Sequence, residues 1–80
     1  MALTFSIVTP VYNGMRFMRQ TIESVLSQKG NFYIDYLIID DGSTDNSLEI
    51  IKEYDNLIKN NEWPVQCLGI TFRYFTGHNK

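Results

Sequence analysis

Eighty residues suffice for one small domain, and with 44% hydrophobic and 20% charged residues the composition is that of an ordinary globular chain, not a disordered one. A net charge of -2 without any Lys/Arg cluster counts against nucleic-acid binding built on phosphate contacts. The N-terminal MALTFSIVTPVYNG lacks the positive start and long apolar run of a secretory signal, no run approaches the ~20 residues of a membrane span, and the single Cys67 cannot form an internal disulfide, so a soluble, cytoplasmic chain is expected.

A chain this short buries only about 60% of the surface its unfolded form exposes, so one modest core must hold it together. Leu3 to Thr9 (LTFSIVT) is β-rich and mostly apolar, the pattern of a strand covered on both faces. Pro10 is expected to end it, having no N–H to give to a ladder. A polar turn at Asn13-Gly14 follows. In MRFMRQTIESVLSQ the residues Met18, Ile22, Val25 and Leu26 share one helical face, with Lys29-Gly30 as the stop. Tyr36 to Ile39 reads as a second short buried strand closing at Asp40. GSTDNS then supplies turn and cap chemistry before SLEIIKEYDNLIK, whose Ile50, Ile51, Tyr54, Leu57 and Ile58 lie on one face. Asn46 and Glu49 have the spacing of a capping box, so this helix is expected to start near Ser47. Asn60 to Pro64 breaks it, and Ile70 to Phe75 forms a third β-rich segment.

The order β-α-β-α-β defines an α/β fold with a parallel sheet and right-handed crossovers. With successive strands as neighbours the sheet order is 3-2-1, the mononucleotide-binding half of a Rossmann-like sheet. Ligands of such sheets bind outside the carboxyl ends of the strands, so Pro10-Val11-Tyr12-Asn13 and Asp40-Asp41-Gly42-Ser43 are expected to border one crevice. There Asp41 offers an acceptor for the N–H edge of a base, and Tyr12 an aromatic face to stack on it. Gly42 lets backbone approach a ligand, and the second helix brings its partly positive N-terminus nearby. The same residues also have plainer uses. Ser-Thr-Asp-Asn commonly does no more than start a helix, Pro10 can simply terminate a strand, and Asp40 can cap its own loop. What favours a site is the meeting of both loops at the one end of the sheet where ligands bind.

Other chemistries lack their residues. No G-x-G-x-x-G follows the first strand, and no G-x-x-x-x-G-K-[ST] is present, which argues against a dinucleotide site and excludes a P-loop. His78 and Cys67 are each alone of their kind, too few for a zinc site, and Ser43 has no histidine in motif context to activate it. Asp40 and Asp41 are adjacent on a strand end, point in opposite directions, and cannot both face one cation comfortably.

SIVTPVYNG, a helix ending in SVLSQ, and YLIIDDGSTDNS together resemble the N-terminal portion of the family 2 glycosyltransferases with the A-type nucleotide-diphospho-sugar fold, over about Phe5 to Tyr54. The resemblance implies that Pro10, Tyr12 and Asp41 line the pocket for the base of a sugar nucleotide, with Asp41 accepting from the base N–H. UDP is the default because it is the commonest donor in the family. Asn13 and Asp40 occupy motif positions beside that pocket. The resemblance further implies sugar transfer from a nucleotide diphosphate donor to an acceptor hydroxyl, as in polysaccharide or glycoconjugate assembly, with Mg²⁺ or Mn²⁺ holding the diphosphate. Arg73-Tyr74-Phe75 and His78-Asn79-Lys80 resemble the family's third strand and the opening of the loop after it.

The family's Ala-Arg-Asn helix, D-x-D metal motif and catalytic base have no counterpart in the eighty residues, and Asp40-Asp41 does not stand in for the D-x-D. Residues 1–80 therefore read as a single partial nucleotide-sugar-binding domain, truncated at its C-terminus, with no catalytic or metal-ligating residue and no transfer activity of its own. A stand-alone nucleotide-binding module is the second reading. A receiver-type signalling domain fits less well, because its acidic pair follows the first strand and works with an Asp after the third. The open edge of the third strand, with Phe72 and Tyr74 nearby, is expected to promote self-association. Attachment to the cytoplasmic face of a membrane would come only through regions beyond these eighty residues.

Overall fold

Strand pairing follows the apolar runs. Strands β1 (Leu3–Val11), β2 (Phe32–Asp41) and β3 (Gly69–Gly77) form one parallel sheet in the order β1-β2-β3, joined by helices α1 (Met15–Leu26) and α2 (Ser47–Lys59). This is the expected α/β architecture, seen in a computed structural model that describes residues 2–77. The reading of His78-Asn79-Lys80 lies outside the described residues. β1 and β2 run in register from Leu3 opposite Phe32 to Val11 opposite Asp40, and β2 and β3 from Tyr33 opposite Gly69 to Asp41 opposite Gly77. The carboxyl ends of the three strands thus finish nearly level and form a rim.

Some boundaries differ from the sequence reading. β1 continues through Pro10, which sits opposite Ile39; among the described residues β1 has a single neighbour, so the missing N–H leaves no gap in the ladder with a second one. β2 starts at Phe32, well before Tyr36. Asp35 interrupts its apolar run, yet that carboxylate is used on the sheet, accepting from Arg73 Nη2 at 3.1 and 3.3 Å. α1 ends at Leu26, where the N–H of Ser27 closes on the carbonyl of Glu23 at 3.0 Å.

Both crossovers step the same way across the sheet, and right-handed connections then place both helices on one face. The core sits there. Ile34, Tyr36 and Ile38 of β2, Val11 of β1 and Phe72 of β3 meet Met18, Ile22 and Leu26 of α1 and Ile50, Ile51 and Tyr54 of α2. The Tyr36 ring stands edge-on to Phe72 at 5.7 Å, and its hydroxyl shares a 2.8 Å hydrogen bond with Thr9 Oγ1, so the buried phenol is satisfied. Burial pushes its pKa up.

The helices are tied to each other by Arg19, which donates to both carboxylate oxygens of Glu53 at 2.6 and 2.9 Å, and by Tyr54 Oη–H donating to Glu23. Trp63, in the connection to β3, donates Nε1–H to the carbonyl of Leu26 at 3.1 Å and so satisfies an otherwise orphaned group at the end of α1. Among the described residues the opposite face of the sheet carries no helix. Val8 at 56%, Ile39 at 40% and Phe75 at 60% exposure show how open it is. Among the described residues no helix is long and apolar enough to cross a membrane.

Candidate functional site at the carboxyl rim of the sheet

The two loops that leave β1 and β2 are locked together by short polar side chains. Asn13 turns the chain with φ 50°, a left-handed conformation that Asn tolerates better than most residues. Its Oδ1 accepts from the N–H of Thr44 at 2.8 Å and of Asp45 at 3.4 Å. Its own backbone N–H donates to Ser43 Oγ at 2.9 Å, and the Ser43 hydroxyl donates in turn to Asp40 Oδ1. Between them Gly42 adopts φ 76°, where a side chain would be strained. The β2–α2 loop is therefore fixed against the β1–α1 loop along its whole length.

Asp45 extends this lock to the helices. Its Oδ2 accepts from the N–H of Met15 at 3.2 Å, and its Oδ1 from the N–H and hydroxyl of Ser47 at 2.9 and 2.5 Å. One carboxylate thus caps the first N–H of both helices and lies at the positive end of both dipoles. This corrects the expected capping box, since Asn46 makes no side-chain cap bond. The spacing rule selects the residue next to the helix, whereas the fold brings a carboxylate one position earlier within reach of two helix starts.

Donation from the Ser47 hydroxyl, reinforced by the backbone N–H groups, holds the Asp45 carboxyl below the usual carboxylate range. A pKa lowered by folding contributes stability that is fully present above the unfolded value near 4 and is lost as pH falls through the folded value. We therefore expect Asp45→Asn to melt below the parent at pH 7, with the gap closing as pH falls below the unfolded value. Thermal melts followed by circular dichroism at a series of pH values check this, and a gap that stays constant would refute it.

The structure separates the five motif residues into two groups. Asp40 is 3% exposed, faces the helices, and is engaged by Ser43. Asn13 is likewise spent on the neighbouring loop. Strand alternation instead puts Pro10 and Asp41 on the open face, and Tyr12, 60% exposed, follows at the rim. Asp41 makes no side-chain hydrogen bond among the described residues. Cavities of about 190 and 270 Å³ flank the rim, one bordered by Pro10, Tyr12 and Phe17, the other by Asp40, Ser43 and Thr76. Thr76 lay outside the sequence reading because nothing in β3 marks its hydroxyl as facing a loop from β2. A larger cavity of about 470 Å³ lies between β1 and α1 toward the other end of the strands, lined chiefly by Phe5, Ile7, Val25 and Phe32. It holds no ionisable side chain, so it is not where the polar chemistry gathers.

A divalent cation does not fit these residues. Asp40 and Asp41 face opposite sides of the sheet, Asp40 is already bound, and no three His, Cys, Asp or Glu side chains converge among the described residues.

The chain is 46% identical over 59 residues to the minor teichoic acid biosynthesis protein GgaA of Bacillus subtilis, covering 71% of this chain and 13% of that protein. It is 33% identical over 78 residues to an uncharacterized glycosyltransferase of Mycoplasma genitalium, covering 96% of this chain and 23% of the other. A chondroitin synthase of Pasteurella multocida is 34% identical over 50 residues, or 62% of this chain and 5% of that enzyme. The chain thus spans less than a quarter of the length of these curated relatives. No solved structure matches it significantly. The model of the family described as "Glycosyl transferase family 2" matches residues 6–73, which takes in all of α1, β2 and α2 and the rim they build. The parallel β-α-β-α-β sheet and this match over most of the chain place it in glycosyltransferase family 2.

Proposed function

We propose that this chain recognises the base of a nucleotide-diphospho-sugar, with UDP as the default nucleotide, within a glycosyltransferase that passes the sugar to an acceptor hydroxyl. The reading rests on strand alternation, which turns Pro10 and Asp41 to the helix-free face, on the exposed Tyr12 ring beside Pro10 at the rim, and on Asp41 making no side-chain hydrogen bond among the described residues. Tyr12 supplies a ring on which a base stacks, Pro10 an apolar floor beside it, and Asp41 an acceptor for an N–H in the plane of the base. Asn13 and Asp40 act behind them by holding the loops in place.

Relatives named for teichoic acid biosynthesis and chondroitin synthesis support a role in building polysaccharides or related glycoconjugates. The described residues offer recognition, without a donor set for the Mg²⁺ or Mn²⁺ that the family is expected to use. Titration of the isotope-labelled chain with UDP, followed by backbone amide shifts, tests the reading. Saturable shifts centred on Tyr12, Asn13 and Asp41 are expected, and unmoved signals there would overturn base recognition by this chain.

A further inference from the structure

The β1–β2 ladder stops one step short of the rim residues. Its last opposed pair is Val11 with Asp40, so no backbone pairing holds Tyr12 to Asp41. Asp41 is fixed on its other side, opposite Gly77 of β3, whereas Tyr12 lies past the end of β1 and its side chain makes no hydrogen bond among the described residues. A base that stacks on Tyr12 and donates to Asp41 needs the two at one separation, because a hydrogen bond tolerates a donor–acceptor range of only about 0.5 Å. Something other than the ladder must set that separation.

Two side chains span the gap in opposite directions. Asn13, next to Tyr12, reaches from the first loop to the N–H groups of Thr44 and Asp45. Asp45 reaches back from the second loop to the N–H of Met15 at 3.2 Å, while its other oxygen holds Ser47. α1 has no side-chain cap at Gly14 and no acidic residue in its first turn, so Asp45 is the carboxylate that ties down its start.

We propose that Asp45 is a positioning residue for nucleotide recognition, setting the distance between the Tyr12 ring and the Asp41 carboxylate through Met15 on one side and Ser47 on the other. The proposal rests on the base-recognition reading above. Both oxygens of Asp45 are committed to the chain, so it acts through the loops and not on the ligand. The bridge needs two acceptor oxygens. An amide in place of the carboxylate keeps one for Ser47 but turns an NH₂ toward the Met15 N–H, donor against donor, and the start of α1 is released with the loop that carries Tyr12. Clasp and ligand are then linked, because a nucleoside that binds best to the closed clasp holds it closed.

Uridine is the probe, because it carries the base without the charge of a diphosphate and so does not respond to the loss of a nearby carboxylate charge. Amide-shift titrations, at a temperature where every variant is folded, should give Asp45→Asn a dissociation constant about tenfold above the parent's. Ile34→Val, which loosens the buried core toward the other end of β2, should lower the melting temperature and leave the constant within about twofold. A second measurement needs no variant. In the parent chain, uridine at about ten times its dissociation constant should slow hydrogen exchange at the Met15 amide about fivefold, as expected if the opened clasp binds roughly tenfold more weakly. Equal affinities of the parent and Asp45→Asn, equal weakening by Ile34→Val, or Met15 exchange that ignores uridine would each overturn the proposal and leave base recognition standing. If uridine moves no signal at Tyr12 or Asp41 of the parent, base recognition itself falls, and this role of Asp45 with it.

Discussion

Ile38→Ala is expected to cost about 2–5 kcal/mol, the range for emptying a fully buried Ile position. Ile38 is completely buried at the centre of β2, the one strand flanked on both sides, and lies beneath both helices. Total stability at about 0.05–0.15 kcal/mol per residue comes to roughly 4–12 kcal/mol for a chain of this length, and small domains fall toward the low end. The substitution therefore removes a large share of the whole, and the melting temperature should drop by something on the order of 10–30 °C. Val8→Ala, on the open face of the same sheet, should change stability by no more than about 0.5 kcal/mol. Urea titration of the two variants beside the parent measures the contrast. Equal losses at Ile38 and Val8 would mean that the core is not confined to the helix side.

Asp41→Asn is expected to weaken UDP binding by about 10- to 150-fold, the equivalent of losing a hydrogen bond to a charged acceptor worth about 1.5–3 kcal/mol. The side chain keeps its shape but presents a weaker acceptor to the base. Its neighbour should behave differently. Asp40→Asn disturbs a buried acceptor already engaged by Ser43, so its effect should appear as about 1–3 kcal/mol of lost stability. Calorimetric titration with UDP at a temperature where both variants remain folded separates the two roles. If Asp40→Asn weakens binding as much as Asp41→Asn while melting like the parent, the division of labour between the two carboxylates is wrong.

The fold was legible because its apolar runs are short, well separated and of the right period. The strand order followed from crossover handedness and from helices long enough to span the sheet. What escaped the sequence depends on contacts between segments far apart in the chain. Asp35 fell outside the strand read from Tyr36 to Ile39, and its partner, Arg73, lies on a different strand far along the chain. Asp45 looked like one more polar residue before α2 until α1 proved to start beside it. Pro10 looked like a terminator because the rule against proline holds for strands flanked on both sides, whereas among the described residues β1 pairs with β2 alone. At the site, the motif brought both loops to the rim, and strand alternation warned that Asp40 and Asp41 would part. Which of the two is spent on the protein itself was decided by Ser43 and Asn13, through hydrogen bonds that no local pattern encodes.

Because both helices lie on one side, Pro10 and Asp41 share a surface with Val8, Ile39 and Phe75, and the exposed Tyr12 follows Pro10 at the rim. A body resting on that surface would have the nucleotide at its border. Linked equilibria are reciprocal, so any factor by which such a cover tightens nucleotide binding is the factor by which the nucleotide tightens the cover. The sheet then works as a common floor for two occupants, each helping to hold the other down.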